Sequence, residues 1–129
     1  DTPAAAAGGA SYQAFLDTAT QDFNGYWSTA LAGFKASGVD INGVDLYGLM
    51  QNIIADPSTY GFTNVTTSAQ GLTGVNPNDY LFWDAEHPTT VGNALIASAA
   101  VTAVPEPGYL ASAAIALFAL TPRRRAKAK

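Results

Sequence analysis

The one histidine of the 129-residue chain, His87, follows Asp84 by three positions within Tyr80-Leu81-Phe82-Trp83-Asp84-Ala85-Glu86-His87-Pro88-Thr89. At that spacing a carboxylate can accept a hydrogen bond from the imidazole across one tight loop. Such a partner fixes the ring's tautomer and supports its positive charge, so that the other ring nitrogen can take a proton from a nucleophile and pass it on. Pro88 biases His87 toward an extended backbone, and Thr89 or Thr90 can cap a helix behind it. The order of residues therefore predicts His87 at a strand-to-helix corner, where side chains face a cleft. A D-x-x-H spacing by itself also fits an ordinary surface turn.

Elements able to hold such a corner are legible on both sides. Tyr12, Phe15, Leu16, Ala19, Phe23, Tyr26, Trp27, Ala30, Leu31 and Phe34 recur at three- and four-residue steps. That spacing predicts one apolar stripe on a long helix ending at Gly38, a stripe that needs a sheet to lie on. Val39, Ile41, Val44 and Leu46 suggest a short buried strand across 39–47, with Asn42-Gly43 leaving a hairpin open as the second option. Asp45 reads as a structural partner of loop backbone. Leu46, Leu49, Met50, Ile53 and Ile54 predict a short helix stopped before Pro57. Residues 57–79, rich in Pro, Ser, Thr, Gly and Asn, read as a long loop; Asn64-Val65-Thr66 within it matches a glycosylation sequon. Val91, Ala94, Leu95, Ser98 and Ala99 continue a helix to about Thr102. Residues 1–10, rich in alanine and glycine, read as a loop or frayed end, with Ser11 as a cap for the long helix. Long helix, buried strand and further helices make an α/β layer.

Composition narrows the function classes. The chain is 48% hydrophobic and 12% charged, which excludes a solvated disordered polymer. Without cysteine it has neither disulfides nor thiolate metal sites. Five of the six Lys and Arg residues fall in 123–129, so residues 1–122 set one Lys against all ten acids. A surface that acidic does not replace phosphate counterions, and nucleic acid is excluded as a partner.

Phe82-Trp83-Asp84-Ala85-Glu86-His87-Pro88-Thr89 resembles the last block of the SGNH, or GDSL, lipases and esterases, where F-W-D-x-x-H-P-T carries the triad Asp and His. Gly38-Val39-Asp40-Ile41, Val44-Asp45-Leu46-Tyr47, Asn52-Ile53-Ile54-Ala55-Asp56-Pro57 and Tyr60-Gly61-Phe62-Thr63-Asn64-Val65 are similar to the segment before that block in one GDSL subfamily. The resemblance covers about residues 1–102. It implies a flavodoxin-like three-layer α/β sandwich, of which this chain supplies one or two strands and three helices and is mostly helical. It implies Asp84 as the orienting acid and His87 as the general base acting on an acyl ester, with no metal and no organic cofactor. The family's Gly-Asp-Ser block and its oxyanion-hole glycine and asparagine blocks have no counterpart here. Ser11 follows an alanine–glycine stretch instead of a buried strand and is not promoted to nucleophile. Asp1-Thr2-Pro3 is similar to the loop after an internal family strand. The resemblance thus implies the C-terminal portion of a hydrolase domain, which by itself should hydrolyse nothing.

Residues 103–129 are a different kind of sequence. Val104-Pro105-Glu106-Pro107 is followed by an uncharged apolar stretch, 108–122, and then by the basic tail 123–129 that opens with Arg123, Arg124 and Arg125. This order resembles the PEP-CTERM sorting signal of bacteria with an outer membrane. It implies an exosortase-type processing enzyme as partner, a transient membrane anchor through a C-terminal hydrophobic helix, and delivery to the cell surface or extracellular matrix. The apolar stretch of 108–122 spans about 22 Å as helix against a bilayer core of about 30 Å, a marginal anchor with arginines on the cytoplasmic side. A second reading keeps the sorting signal and drops the chemistry: a non-catalytic, surface-sorted protein whose esterase-like part is a matrix or binding module. The lack of an N-terminal signal peptide beside a tail that requires export leads to the expectation of a chain shortened at its N-terminus.

Overall fold

A computed structural model describes residues 2–104. Helix α1 (Pro3–Ala7) opens the chain, followed by α2 (Ala10–Ala36) and α3 (Leu46–Ala55). A 3₁₀ turn at Pro57–Tyr60 leads to strand β1 (Asn64–Ser68), and another at Pro77–Asp79 leads to β2 (Tyr80–Phe82) and helix α4 (Thr90–Ala103). The strands pair in parallel, Asn64 beside Tyr80 and Ser68 beside Phe82, with a register irregularity between. The described chain is thus mixed α/β and mostly helical, as expected. Among the described residues no helix is long and apolar enough to cross a membrane. The sorting residues Pro105, Glu106, Pro107, Arg123, Arg124 and Arg125, and the apolar stretch 108–122, lie outside the described residues. Val104, the exposed extended residue after α4, is where the description ends.

The core is small and centred on the sheet. Ile53, Phe62, Val65, Leu81 and Phe82 are buried together, flanked by Leu49, Met50, Ile54, Tyr60, Val91 and Leu95. Apart from Tyr60, which comes from the 3₁₀ turn, the apolar positions of α3 and α4 supply these flanks, as their spacing predicts. Pro57 opens the 3₁₀ turn directly after α3. Gly92 lets α4 approach β2: a Cβ there would sit 2.9 Å from Pro88 Cβ and 3.1 Å from the Leu81 carbonyl oxygen.

Four expectations are corrected. Residues 39–45 form no strand, because the Asp45 carboxylate accepts the Gly48 N–H at 2.8 Å and starts α3 at Leu46. Just before it the Gly43 backbone is pressed against Trp27 and Leu31 of α2. The loop at 57–79 contains β1, whose single buried residue, Val65, gives no alternating signal. Residues 3–7 are helical: Thr2 caps them by accepting the Ala5 N–H, and Pro3 occupies the first turn where its missing N–H costs nothing. Ser11 lies inside α2, whose cap position is Gly9.

Helix α2 departs from the expected packing. It ends as predicted: Gly38 is at φ 86°, and Val39 N–H closes back on the Phe34 carbonyl while Gly38 N–H closes on that of Lys35. Yet none of its 27 residues is buried, and Phe15, Phe23, Tyr26 and Phe34 are all more than half exposed. A cavity of about 490 Å³ separates Leu16, Phe23 and Asn24 of α2 from Met50, Ile54 and Phe82 of the core. The Tyr47 hydroxyl bridges the gap by donating to Asp17 at 2.7 Å. That bond raises the pKa of the phenol, because the neighbouring carboxylate disfavours a second negative charge.

Candidate functional site

The loop from Trp83 to Pro88 is closed at its base by backbone. Trp83 N–H donates to the His87 carbonyl at 2.8 Å, and Thr89 N–H donates to that of Leu81 at 2.9 Å, so Phe82 and Pro88 face each other as an antiparallel bridge. Inside this closure Asp84 Oδ1 accepts two backbone donors, Glu86 N–H at 2.9 Å and His87 N–H at 2.7 Å. His87 Nδ1 lies 2.9 Å from Asp84 Oδ2 and 3.0 Å from Oδ1. The two residues picked out by spacing are therefore brought into one hydrogen-bonded pair at a strand-to-helix corner.

Electrostatics fix the ionisation of the carboxyl within the pair. Backbone N–H groups of His87 and then Glu86 hold the Asp84 carboxyl down to about 2, with the His87 ring adding to the same effect. The group is a carboxylate, and only an acceptor, at any ordinary pH. Nδ1 must then carry the hydrogen, which leaves the Nε2 lone pair on the side away from Asp84. The His87 side chain is 76% exposed against 31% for Asp84, so Nε2 opens outward while the acid is tucked beneath the ring. This geometry can take up and release a proton at Nε2.

Thr89 anchors the corner. It is the buried polar residue of the described chain, and its hydroxyl donates to the Tyr80 carbonyl at 2.7 Å while accepting the Gly92 N–H at 3.3 Å. Of the two caps the sequence allowed, Thr89 is the one used. Asn93, one turn later, donates to the carbonyls of Pro88 and Thr89, each at 3.1 Å. Sequence reasoning passed over Asn93; its place four residues after the cap was the available signal. Among the described residues His87 has no side-chain partner other than Asp84, Ser11 is exposed on α2, and no group of three or more His, Asp or Glu residues could hold a metal ion.

No protein-family profile matches the chain. Individual proteins do. The likeness is to GDSL esterases/lipases. One from Arabidopsis thaliana is 41% identical over 68 residues, covering 42% of this chain and 19% of its own length. A second from the same plant is 30% identical over 99 residues, 64% of this chain and 27% of the relative. The Arabidopsis GDSL esterase/lipase APG is 27% identical over 104 residues, 67% of this chain and 30% of its own. The chain thus spans less than a third of the length of these GDSL relatives. The partial similarities support the GDSL hydrolase family.

Proposed function

We propose that this chain is the C-terminal part of an exported GDSL-type serine esterase or lipase, with Asp84 as the triad acid and His87 as the general base. The observation that carries the reading is the Asp84–His87 pair, with the carboxylate ionised beneath Nδ1 and Nε2 facing outward. In the complete enzyme a serine supplied by another part of the protein attacks the acyl carbonyl. His87 Nε2 takes the serine's proton and returns it to the departing alcohol, while Asp84 holds the ring and stabilises its cationic form. Donors for the oxyanion come with the same missing part. The bare aromatic face of α2 and the cavity beneath it support this reading, because a helix of an α/β sandwich is stable only with its stripe on a sheet. Val104-Pro105-Glu106-Pro107 with the basic tail 123–129 would direct export through an exosortase-type enzyme, by way of a transient membrane anchor.

The test is the coding sequence upstream of Asp1. An in-frame Gly-Asp-Ser block supports the reading, and His87→Ala in that longer protein should then lower kcat at least about 10⁴-fold on a short-chain aryl ester. Turnover unchanged by His87→Ala would overturn the assignment of the base. A start site with its own export signal directly before Asp1 would instead favour a surface-sorted matrix or binding module.

A further inference from the structure

The geometry points to the opening turn, Thr2 to Ala7, as a clamp that positions the Asp84–His87 loop through the backbone N–H of Ala4. This N–H donates to the carbonyl of Ala85 at 2.9 Å, across some eighty residues of sequence. The Ala85 carbonyl belongs to the same peptide unit as the Glu86 N–H, and a trans peptide is planar with its C=O and N–H pointing opposite ways. Glu86 N–H donates to Asp84 Oδ1 at 2.9 Å. One rigid plate is therefore held at both ends: Ala4 grips its oxygen, and its hydrogen is thereby aimed at the acid. Polarisation along the row Ala4 N–H, Ala85–Glu86 peptide and Asp84 carboxylate strengthens each bond in turn.

The turn is itself fixed in place. Ala5 is 4% exposed, and Thr2 and Ala5 line one cavity with Phe82 at the end of β2. The Thr2 hydroxyl accepts the Ala5 N–H, so the N–H one position earlier is turned outward with no acceptor in its own helix. The loop needs such a restraint because its two functional side chains have little burial to hold them. Without Ala4 the Ala85–Glu86 plate can rotate, Glu86 N–H leaves the carboxylate, and the His87 ring loses its fixed bearing. Ala4 is thus a positioning residue, acting through its backbone alone, and α1 is a structural member of the site.

This inference rests on reading Asp84 and His87 as the acid–base pair, yet its test uses no substrate, so a failed clamp and a failed esterase reading are told apart. The first measurement is amide hydrogen exchange in the full chain. The early N–H groups of a helix have no intrahelical acceptor and exchange freely, so protection of Ala4 at least about tenfold reports the bond to Ala85 directly. The second is the carboxyl-carbon titration of Asp84 by NMR in Ala5→Glu, which drives a charge into the buried face of the turn, and in the milder Thr2→Ala. Both variants should raise the Asp84 midpoint by about one pH unit and deprotect Glu86 N–H, with the α3 and α4 amides unmoved. Should Ala5→Glu unfold the chain, Thr2→Ala decides. An unprotected Ala4, or an Asp84 titration unaltered when the turn is loosened, overturns the clamp.

Discussion

Replacing Gly92 by alanine sets two known effects against each other at the contact that seats the site. Alanine in a helix interior gains about 1 kcal/mol over glycine. Here its methyl would lie 2.9 Å from Pro88 Cβ, 3.1 Å from the Leu81 carbonyl oxygen and 3.3 Å from Leu81 Cδ1. Apolar carbons are at ease at about 3.5–4.0 Å, and two of these neighbours, a proline ring and a strand carbonyl, cannot swing aside. Overpacking of this kind costs about 1–3 kcal/mol, and the rigid neighbours place Gly92→Ala at the upper end. The net expectation is a loss of about 1–2 kcal/mol. With an m-value of about 1–2 kcal/mol/M for a domain of this size, the urea midpoint followed by circular dichroism should fall by about 1 M. Gly25→Ala and Gly33→Ala are the built-in controls, since a Cβ at either position of α2 meets nothing within 4 Å. Both should raise the midpoint. A Gly92→Ala midpoint at or above that of the unsubstituted chain would refute the close approach of α4 to β2.

Two further outcomes follow from the same corner. Thr89→Val removes the helix cap and the donor to the Tyr80 carbonyl from a buried site. It should cost about 1–3 kcal/mol in urea denaturation, with Thr89→Ser recovering most of it. Asp84 titrates at about 2 in the folded loop and near 3.9 when unfolded. Its stabilising contribution is therefore complete above about pH 4 and disappears as pH falls through about 2. Asp84→Asn should flatten that part of the stability–pH curve, measured by denaturation at stepped pH.

What the sequence disclosed followed from how local each signal was. The Asp84–His87 hydrogen bond, the cap at Thr89 and the helices α3 and α4 depend on partners a few residues away, and each was legible. The end of α2 was legible because only a residue at ease with positive φ, Gly38, closes such a helix. Strand β1 was missed because its outer face is Thr and Asn, and only a partner sixteen residues on makes it a strand. The segment 39–45 has strand-like residues, but its Gly43 lies against Trp27 and Leu31, and Asp45 diverts the following residues into a helix. Helix α1 was missed because alanine and glycine carry no apolar period. Its docking depends on Ala85, far along the chain. The stripe on α2 was correctly placed along the helix, yet burial is a property of what lies opposite, and the described chain provides little there.

Asp84 and His87 sit three residues apart, and the loop holding them closes on itself from Trp83 to His87. Forming that closure fixes only a short length of chain, so its entropic cost is small and does not wait on distant contacts. A triad whose acid comes from a remote strand acquires its oriented imidazole only when the whole domain has folded. Here the pairing of His87 with Asp84 is local, and the contact from Ala4 to Ala85, some eighty residues apart in sequence, then holds its bearing. The pair is thereby carried on a short cassette whose inner bonds are local and whose final aim is set from the other end of the described chain.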